Sequence, residues 1–166
     1  MTQEPTETIT VREATQADVP TLGRFGALLV SLHHGWDPHR FIDATPRTST
    51  EYAGFFERLL GRDGVTILVA VDGLEVLGYV YMASEGYNYM ALRGPAAVIQ
   101  DLFVAPDRRR RGIGKSLLLA ARNEASRQGQ SQLTLSTAFK NEAAQRLFAS
   151  LGFRPTMIEM TQDLSP

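Results

Sequence analysis

The 166-residue chain has no cysteine, which excludes disulfides, zinc–thiolate centres and a cysteine nucleophile. It also lacks any apolar run near the ~20 residues that cross a bilayer, so no membrane partner is expected. The opening MTQEPTETITVREA is acidic and polar, without the basic and apolar regions of a secretion signal. A cytoplasmic location is therefore expected, with residues 1–7 as a flexible tail and residues 8–166 as a single domain. Net charge is nearly absent as well: 17 Lys+Arg stand against 18 Asp+Glu, a balance of −1. What the chain does have is apolar mass. Hydrophobic residues make up 43% and charged residues only 21%, enough for a buried core and too little charge for a disordered tail.

The small net charge conceals a cluster. Arg108, Arg109, Arg110, Arg111 and Lys115 place five positive charges in eight residues. The other 158 residues then carry 12 positive charges against 18 negative ones, or −6. The chain is acidic with one intensely basic turn.

Hydrophobic periodicity orders the elements. Ile9 and Val11 alternate with polar neighbours, as in a short strand. Thr15 with Asp18 resembles a helix-capping pair, followed by Val19, Leu22, Leu28, Leu29 and Leu32 at helical spacing to about His33. Thr48 and Glu51 repeat the capping pattern ahead of the stripe Tyr52, Phe55, Phe56, Leu59 and Leu60, with Gly61 as the stop. Val65–Val71 and Leu74–Ala83 flank Asp72-Gly73, a hairpin turn. Ser84–Pro95 reads as a loop and Ala97–Ala105 as a third long strand. A helix over Gly112–Gln128, a strand over Gln132–Ser136 and a helix opening at Asn141 and closing at Gly152 follow. Thr156–Leu164 reads as a last strand. This order predicts an α/β (α+β) protein with a single mixed, mostly antiparallel sheet flanked by helices.

The segment VIQDLFVAPDRRRRGIGKSLL carries the chemistry. A strand ends at Ala105-Pro106, a basic turn follows, and a helix opens at Gly112-Ile113-Gly114. A helix start presents unpaired N–H groups and the positive end of the helix dipole, and glycines allow close backbone approach. The natural ligand is a pyrophosphate. A P-loop would need glycine where Arg109 stands, and a dinucleotide fingerprint would need glycine where Leu117 stands. The pattern [Q/R]-x-x-G-x-[G/A] after a strand fits Arg109-Arg110-Arg111-Gly112-Ile113-Gly114 throughout.

That pattern resembles the acetyl-CoA loop of the GNAT superfamily of N-acetyltransferases. A second motif supports the resemblance: Asn141, Ala144, Phe148, Gly152 and Phe153 follow about thirty residues later, spaced as in the family's N-x-x-A-x-x-x-Y-x-x-x-G-F. The resemblance extends from about residue 8 to 164 and is clearest over 97–153. It implies a GNAT-like acyl-CoA N-acyltransferase fold, with acetyl-CoA as co-substrate and no metal. The backbone of Leu102, Phe103 and Val104 would hold the pantetheine arm. Arg109, Arg110, Arg111, Gly112, Ile113, Gly114, Lys115 and Ser116 would form the pyrophosphate loop. Asn141 would lie beside the cofactor, or serve simply as a helix cap. Phe148 occupies the position of the family's usual tyrosine acid and has no proton to give. Either Tyr81, Tyr87 or Tyr89 serves instead, or the thiolate, with a thiol pKa near ~8.5, leaves unassisted.

Without a thiol to carry the acetyl group, direct attack by an amine in a ternary complex is favoured. For the base, Asp101 is the first candidate and Glu85 the second. Some family members place the acid at the position of Gln100, which cannot ionise. Asp101 could equally be a carboxylate bonded to neighbouring backbone. His33-His34-Gly35-Trp36-Asp37-Pro38-His39-Arg40-Phe41 matches no standard metal spacing. By the resemblance, Trp36, Asp37 and Phe41 line an acceptor wall, or else they form a helix-ending turn. Tyr87 and Tyr89 would belong to a second wall. The expected partner is a small-molecule or peptide amine, and a homodimer is a family expectation. Two alternatives remain: an inactive acyl-CoA-binding sensor, suggested by Phe148, and a nucleic-acid or anion-binding module using the arginines. A single basic turn suits a compact anion better than a duplex, so no nucleic acid is expected.

Overall fold

The computed structural model describes residues 8–164; the tail expected at residues 1–7 lies outside them. Strand β1 (Thr10–Glu13) leads through a short 3-10 turn into helix α1 (Val19–Trp36). The Thr15 N–H and hydroxyl both donate to Asp18, at 2.7 and 3.0 Å. Helix α2 (Thr48–Leu59) follows. The expected cap Thr48 is its first helical residue, and its hydroxyl accepts instead from the Thr45 N–H at 2.8 Å. Then come β2 (Val65–Asp72), β3 (Glu75–Glu85), β4 (Ala96–Val104), α3 (Ile113–Arg127), β5 (Leu133–Leu135) and α4 (Glu142–Ser150).

The strands form one sheet in the order β1-β2-β3-β4-β5. Every pairing is antiparallel except β4–β5, which is parallel. The tight Asp72-Gly73 turn joins β2 and β3, with Gly73 at φ +56°. Helices α3 and α4 cover one face, where Ile113, Leu117, Leu118 and Phe148 pack on Leu68, Val80, Met82 and Ile99. Helices α1 and α2 cover the other, where Leu22, Phe25 and Phe56 pack on Val69, Tyr79 and Phe103. Each such buried side chain contributes about 1.5–3 kcal/mol of burial free energy. Helices α1 and α2 approach closely because α1 carries glycine at the crossing. A Cβ on Gly26 would lie 2.1 Å from the Tyr52 ring, and one on Gly23 would lie 2.4 Å from the Ser49 carbonyl oxygen.

The predicted last strand is corrected. Residues 156–164 are exposed and join no ladder among the described residues. A strand needs a neighbour for its N–H and C=O groups, and periodicity alone does not supply one. Side chains hold this segment instead. Arg40 pairs with Glu159 through two of its guanidinium nitrogens, the second bond being 3.0 Å, and His39 faces Asp163 at 3.9 Å.

Candidate active site

Strand β4 changes phase halfway along. Tyr81 pairs with Asp101 and Met82 with Ile99, which leaves Gln100 as an extra residue. Such a bulge re-aims every side chain beyond it. Ala97 and Ile99 point towards α3. In an unbroken strand Asp101 and Phe103 would follow them. The bulge turns Leu102 and Val104 to that face instead and sends Phe103 into the layer under α1 and α2, with Asp101 beside it.

The same bulge sets the backbone. Val104 and Gly78 form a non-hydrogen-bonded pair, because the Ala105 N–H donates to the Leu77 carbonyl at 2.9 Å. By alternation, the N–H and C=O of Val104 and Leu102 point away from β3, while those of Phe103 are used in pairing with Tyr79. On the far side β5 pairs only with Ala97–Ile99, so among the described residues that edge of β4 has no neighbouring strand beyond Ile99. The open edge therefore presents Leu102 and Val104, but not the backbone of Phe103. The Arg109 side chain reaches back to this edge: its Nε donates to the Val104 carbonyl at 3.1 Å, and its guanidinium lies 5.6 Å from the Phe103 ring centroid.

The basic turn follows at once. Arg110 and Gly112 both adopt left-handed backbone, at φ +64° and +78°, in the alternation that gathers successive N–H groups into an anion-binding concavity. Gly112 caps α3 without a side chain, and nothing lies within 4 Å of where its Cβ would be. The first bond of the helix ladder runs from Ser116 N–H to Gly112 C=O at 2.9 Å, so the amides of Ile113, Gly114 and Lys115 precede it. This cradle fits a pyrophosphate. Gly114 has a packing role: a Cβ there would come within 3.2 Å of Leu147 on α4. The Arg108 guanidinium binds both Glu75 carboxylate oxygens at 3.0 Å, so part of the basic cluster is already matched within the chain.

On the opposite face Asp101 lies among tyrosines. The Tyr79 hydroxyl donates to Oδ2 of Asp101 at 3.0 Å, and the Tyr52 hydroxyl also acts on this carboxylate. Burial pushes the Asp101 carboxyl above its ordinary value, while the two hydroxyls and the nearby His33 ring work in the other direction. Burial, then the negative charge of Asp101, pushes Tyr52, Tyr79 and Tyr81 up, so all three remain protonated donors at neutral pH. Sequence reasoning missed Tyr52 and Tyr79. Tyr52 sits within an apolar helical stripe, and no spacing rule links Tyr79 to Asp101 without the strand register.

The remaining candidates separate. Glu85 is engaged by Arg93 at 2.7 Å and by the Gln100 amide at 2.9 Å. Trp36 and Phe41 each pack edge-on against His33, with centroids 5.0 Å apart. Asp37 accepts from the backbone N–H groups of His39 and Arg40, at 3.2 and 3.3 Å, and so holds its own turn. Tyr81 stands across from Asp101 in register. Tyr87 and Tyr89 stack on one another at 6.4 Å, both about three-quarters exposed, in the β3–β4 connection. Asn141 caps α4 by accepting from the Ala144 N–H at 3.2 Å. Phe148 is buried at 8% exposure and packs edge-on against Phe153. The three histidines diverge: His33 Nδ1 contacts the Leu29 carbonyl, His34 Nδ1 that of Phe41, and His39 faces Asp163. Among the described residues no group of three or more His, Asp or Glu is placed to hold a metal. No helix there is long and apolar enough to cross a membrane.

Comparisons with known proteins address the family and the fold. The sequence model of the GNAT acetyltransferase family matches residues 29–153. An aminoglycoside N(6')-acetyltransferase type 1 of Klebsiella aerogenes is 30% identical over 105 residues, covering 63% of this chain and 68% of that protein. A mutant of the BH1408 protein from Bacillus halodurans superposes with a TM-score of 0.83 at 23% identity, covering 94% and 99% of the two chains. A predicted acetyltransferase with acetyl-CoA from Clostridium acetobutylicum superposes at 0.72 with 16% identity, over 95% and 97%. At those identities the two structures speak for the fold, and the family match speaks for the chemistry. The chain belongs to the GNAT family of acetyltransferases.

Proposed function

We propose that this N-acetyltransferase moves the acetyl group of acetyl-CoA directly onto a small amine, with Asp101 as the base. The co-substrate supplies an activated acetyl thioester. The amine nitrogen forms the new C–N bond as the C–S bond breaks, the sulfur keeps the bonding pair, and the ammonium proton passes to Asp101. An amide on the open edge of β4, from Leu102 or Val104, donates to the carbonyl oxygen on which charge develops. The amides from Arg110 to Lys115 hold the pyrophosphate, Arg109 leads into that turn, and Asn141 begins the helix that closes the cofactor side. One observation carries the reading: the Gln100 bulge turns Asp101 to one face and the Leu102 and Val104 amides to the adjoining open edge. Base and cofactor track are thus neighbours on one strand.

Glu85 is the weaker base because Arg93 already neutralises it. Burial keeps the Tyr81 hydroxyl protonated, and we assign to it the protonation of the leaving thiolate. We further place the reaction in the cytoplasm and in a homodimer of single-domain chains. The dimer is supported by the unpaired segment 156–164, where Met157, Ile158, Met160 and Leu164 are all largely exposed. Thiol release from acetyl-CoA with a panel of amines tests the function. Release that depends on the amine supports transfer. Thermal stabilisation by acetyl-CoA without release would instead favour an acyl-CoA sensor, the reading that Phe148 suggests.

A further inference from the structure

The surroundings of Asp101 restrict which amine can be the acceptor. Its neighbours are rings. Tyr81 lies across from it in register, Phe55 meets Tyr81 edge-on at 5.9 Å, and Tyr52 meets Phe55 at 6.3 Å. On the α1 side, His33 acts electrostatically on Asp101 and carries Trp36 and Phe41 against its edges at 5.0 Å. Tyr52, Tyr81, Trp36 and Phe41 are partly buried, and Phe55 is 39% exposed. Large rings left partly open around a half-buried carboxylate form a surface for a ligand with a flat body.

Three other carboxylates are already engaged. Glu85 is matched by Arg93, Asp37 holds its own turn and Glu159 is matched by Arg40. Asp101 is faced by two tyrosine hydroxyls and the His33 ring. On the Trp36 side, the Lys140 Nζ donates to the Trp36 carbonyl at 2.7 Å. An acceptor with several ammonium groups would need several carboxylates to replace its hydration and would be repelled by Lys140. One ammonium fits: it meets Asp101 while aromatic faces attract its charge and cover its body.

We infer that the acceptor is a primary monoamine joined by a short linker to a flat aromatic group, rather than a polycation. This rests on the acetyltransferase reading above. The test is steady-state thiol release with 2-phenylethylamine, methylamine, spermidine and the polyamino sugar neamine. The expected result is a kcat/KM for 2-phenylethylamine at least tenfold above that for spermidine or neamine. Phe55→Ala and, separately, Tyr81→Ala should raise the KM for 2-phenylethylamine about fivefold or more. In Phe55→Ala the KM for acetyl-CoA and the kcat/KM for methylamine should stay within twofold. A tenfold preference for spermidine or neamine would overturn the inference, as would unchanged KM values in both variants. Stabilisation by acetyl-CoA with no release from any amine would overturn the acetyltransferase reading itself, and the inference with it.

Discussion

The Tyr79 hydroxyl reaches Oδ2 of Asp101 at 3.0 Å although the two residues are not paired across the sheet. Tyr79 pairs with Phe103, and Asp101 pairs with Tyr81. The bond is therefore diagonal, between residues on one face of adjacent strands. It holds the carboxylate in a fixed orientation while burial raises its proton affinity.

Asp101→Asn should lower turnover at saturating acetyl-CoA by at least a hundredfold and leave acetyl-CoA binding within about threefold, a barrier increase of ~2.7 kcal/mol or more. In the wild type the base must be ionised, so log kcat should fall as pH drops through the raised Asp101 value, above the ordinary 3.8. Tyr79→Phe removes a donor to the charged form and should move that acid limb to higher pH. Rate profiles from pH 4 to 9 decide this. Unchanged turnover in Asp101→Asn would remove the residue from the chemistry.

The same substitution should not destabilise the fold near neutrality. A carboxyl whose folded value lies above its unfolded one costs stability as pH rises from 3.8 through the folded value. Asn at this site removes that cost. The melting temperature of Asp101→Asn at pH 7 should equal or exceed that of the wild type, and the gap should close below pH 3.8. Thermal melts at both pH values measure it.

Gly112→Ala and Gly129→Ala make a matched pair. Both glycines have left-handed backbone, at φ +78° and +75°, with open space around the missing Cβ. Each substitution should cost roughly 1–2 kcal/mol of stability. Only Gly112→Ala should weaken acetyl-CoA binding, by tenfold or more, because Gly129 closes the far end of α3. Calorimetric titration beside denaturant melts separates the two effects.

Gly26→Ala would drive a methyl group into the Tyr52 ring, 2.1 Å away as the backbone stands. Overpacking of this kind costs about 1–3 kcal/mol. Tyr52 would also be displaced from Asp101, so kcat should fall while the KM for acetyl-CoA holds. A loss of stability with unchanged kcat would show that Tyr52 has no part in orienting the carboxylate.

Phe148→Tyr should change activity less than tenfold, under ~1.4 kcal/mol of barrier. Phe148 is buried against Phe153, so the added hydroxyl must find a partner or cost about 1–3 kcal/mol of stability. A hundredfold gain in turnover would show that the missing phenol limits the reaction.

Much of this layout was legible in sequence. Val65–Val71, the Asp72-Gly73 turn and the apolar stripes of α1, α2 and α3 have the local periodicity of the elements they form. The Arg109–Gly114 motif marks its own place between a strand and a helix start, and Asn141 marks its helix. The acceptor side was less legible because it depends on pairing between distant segments. Tyr52, Tyr79 and Asp101 meet only when α2, β3 and β4 are in register. The Gln100 bulge has no local signature, and the periodicity of Thr156–Leu164 suggests a strand without saying whether a neighbour exists to receive it. The pairing of Arg108 with Glu75, across thirty-three residues, likewise lies beyond any spacing rule.

The extra residue in β4 makes the length of that strand a functional quantity. Gln100 is accommodated outside the alternation, so Asp101 stays opposite Tyr81 and Leu102 stays opposite Val80. Were the bulge ironed out with Gln100 taken into the ladder, Asp101 and Phe103 would turn into the aliphatic layer beneath α3, and Leu102 and Val104 towards the tyrosines. The proton acceptor and the backbone groups of the open edge would be lost together with no chemical group changed. Natural variation in this strand should therefore tolerate many replacements at position 100, provided that residue stays outside the alternation.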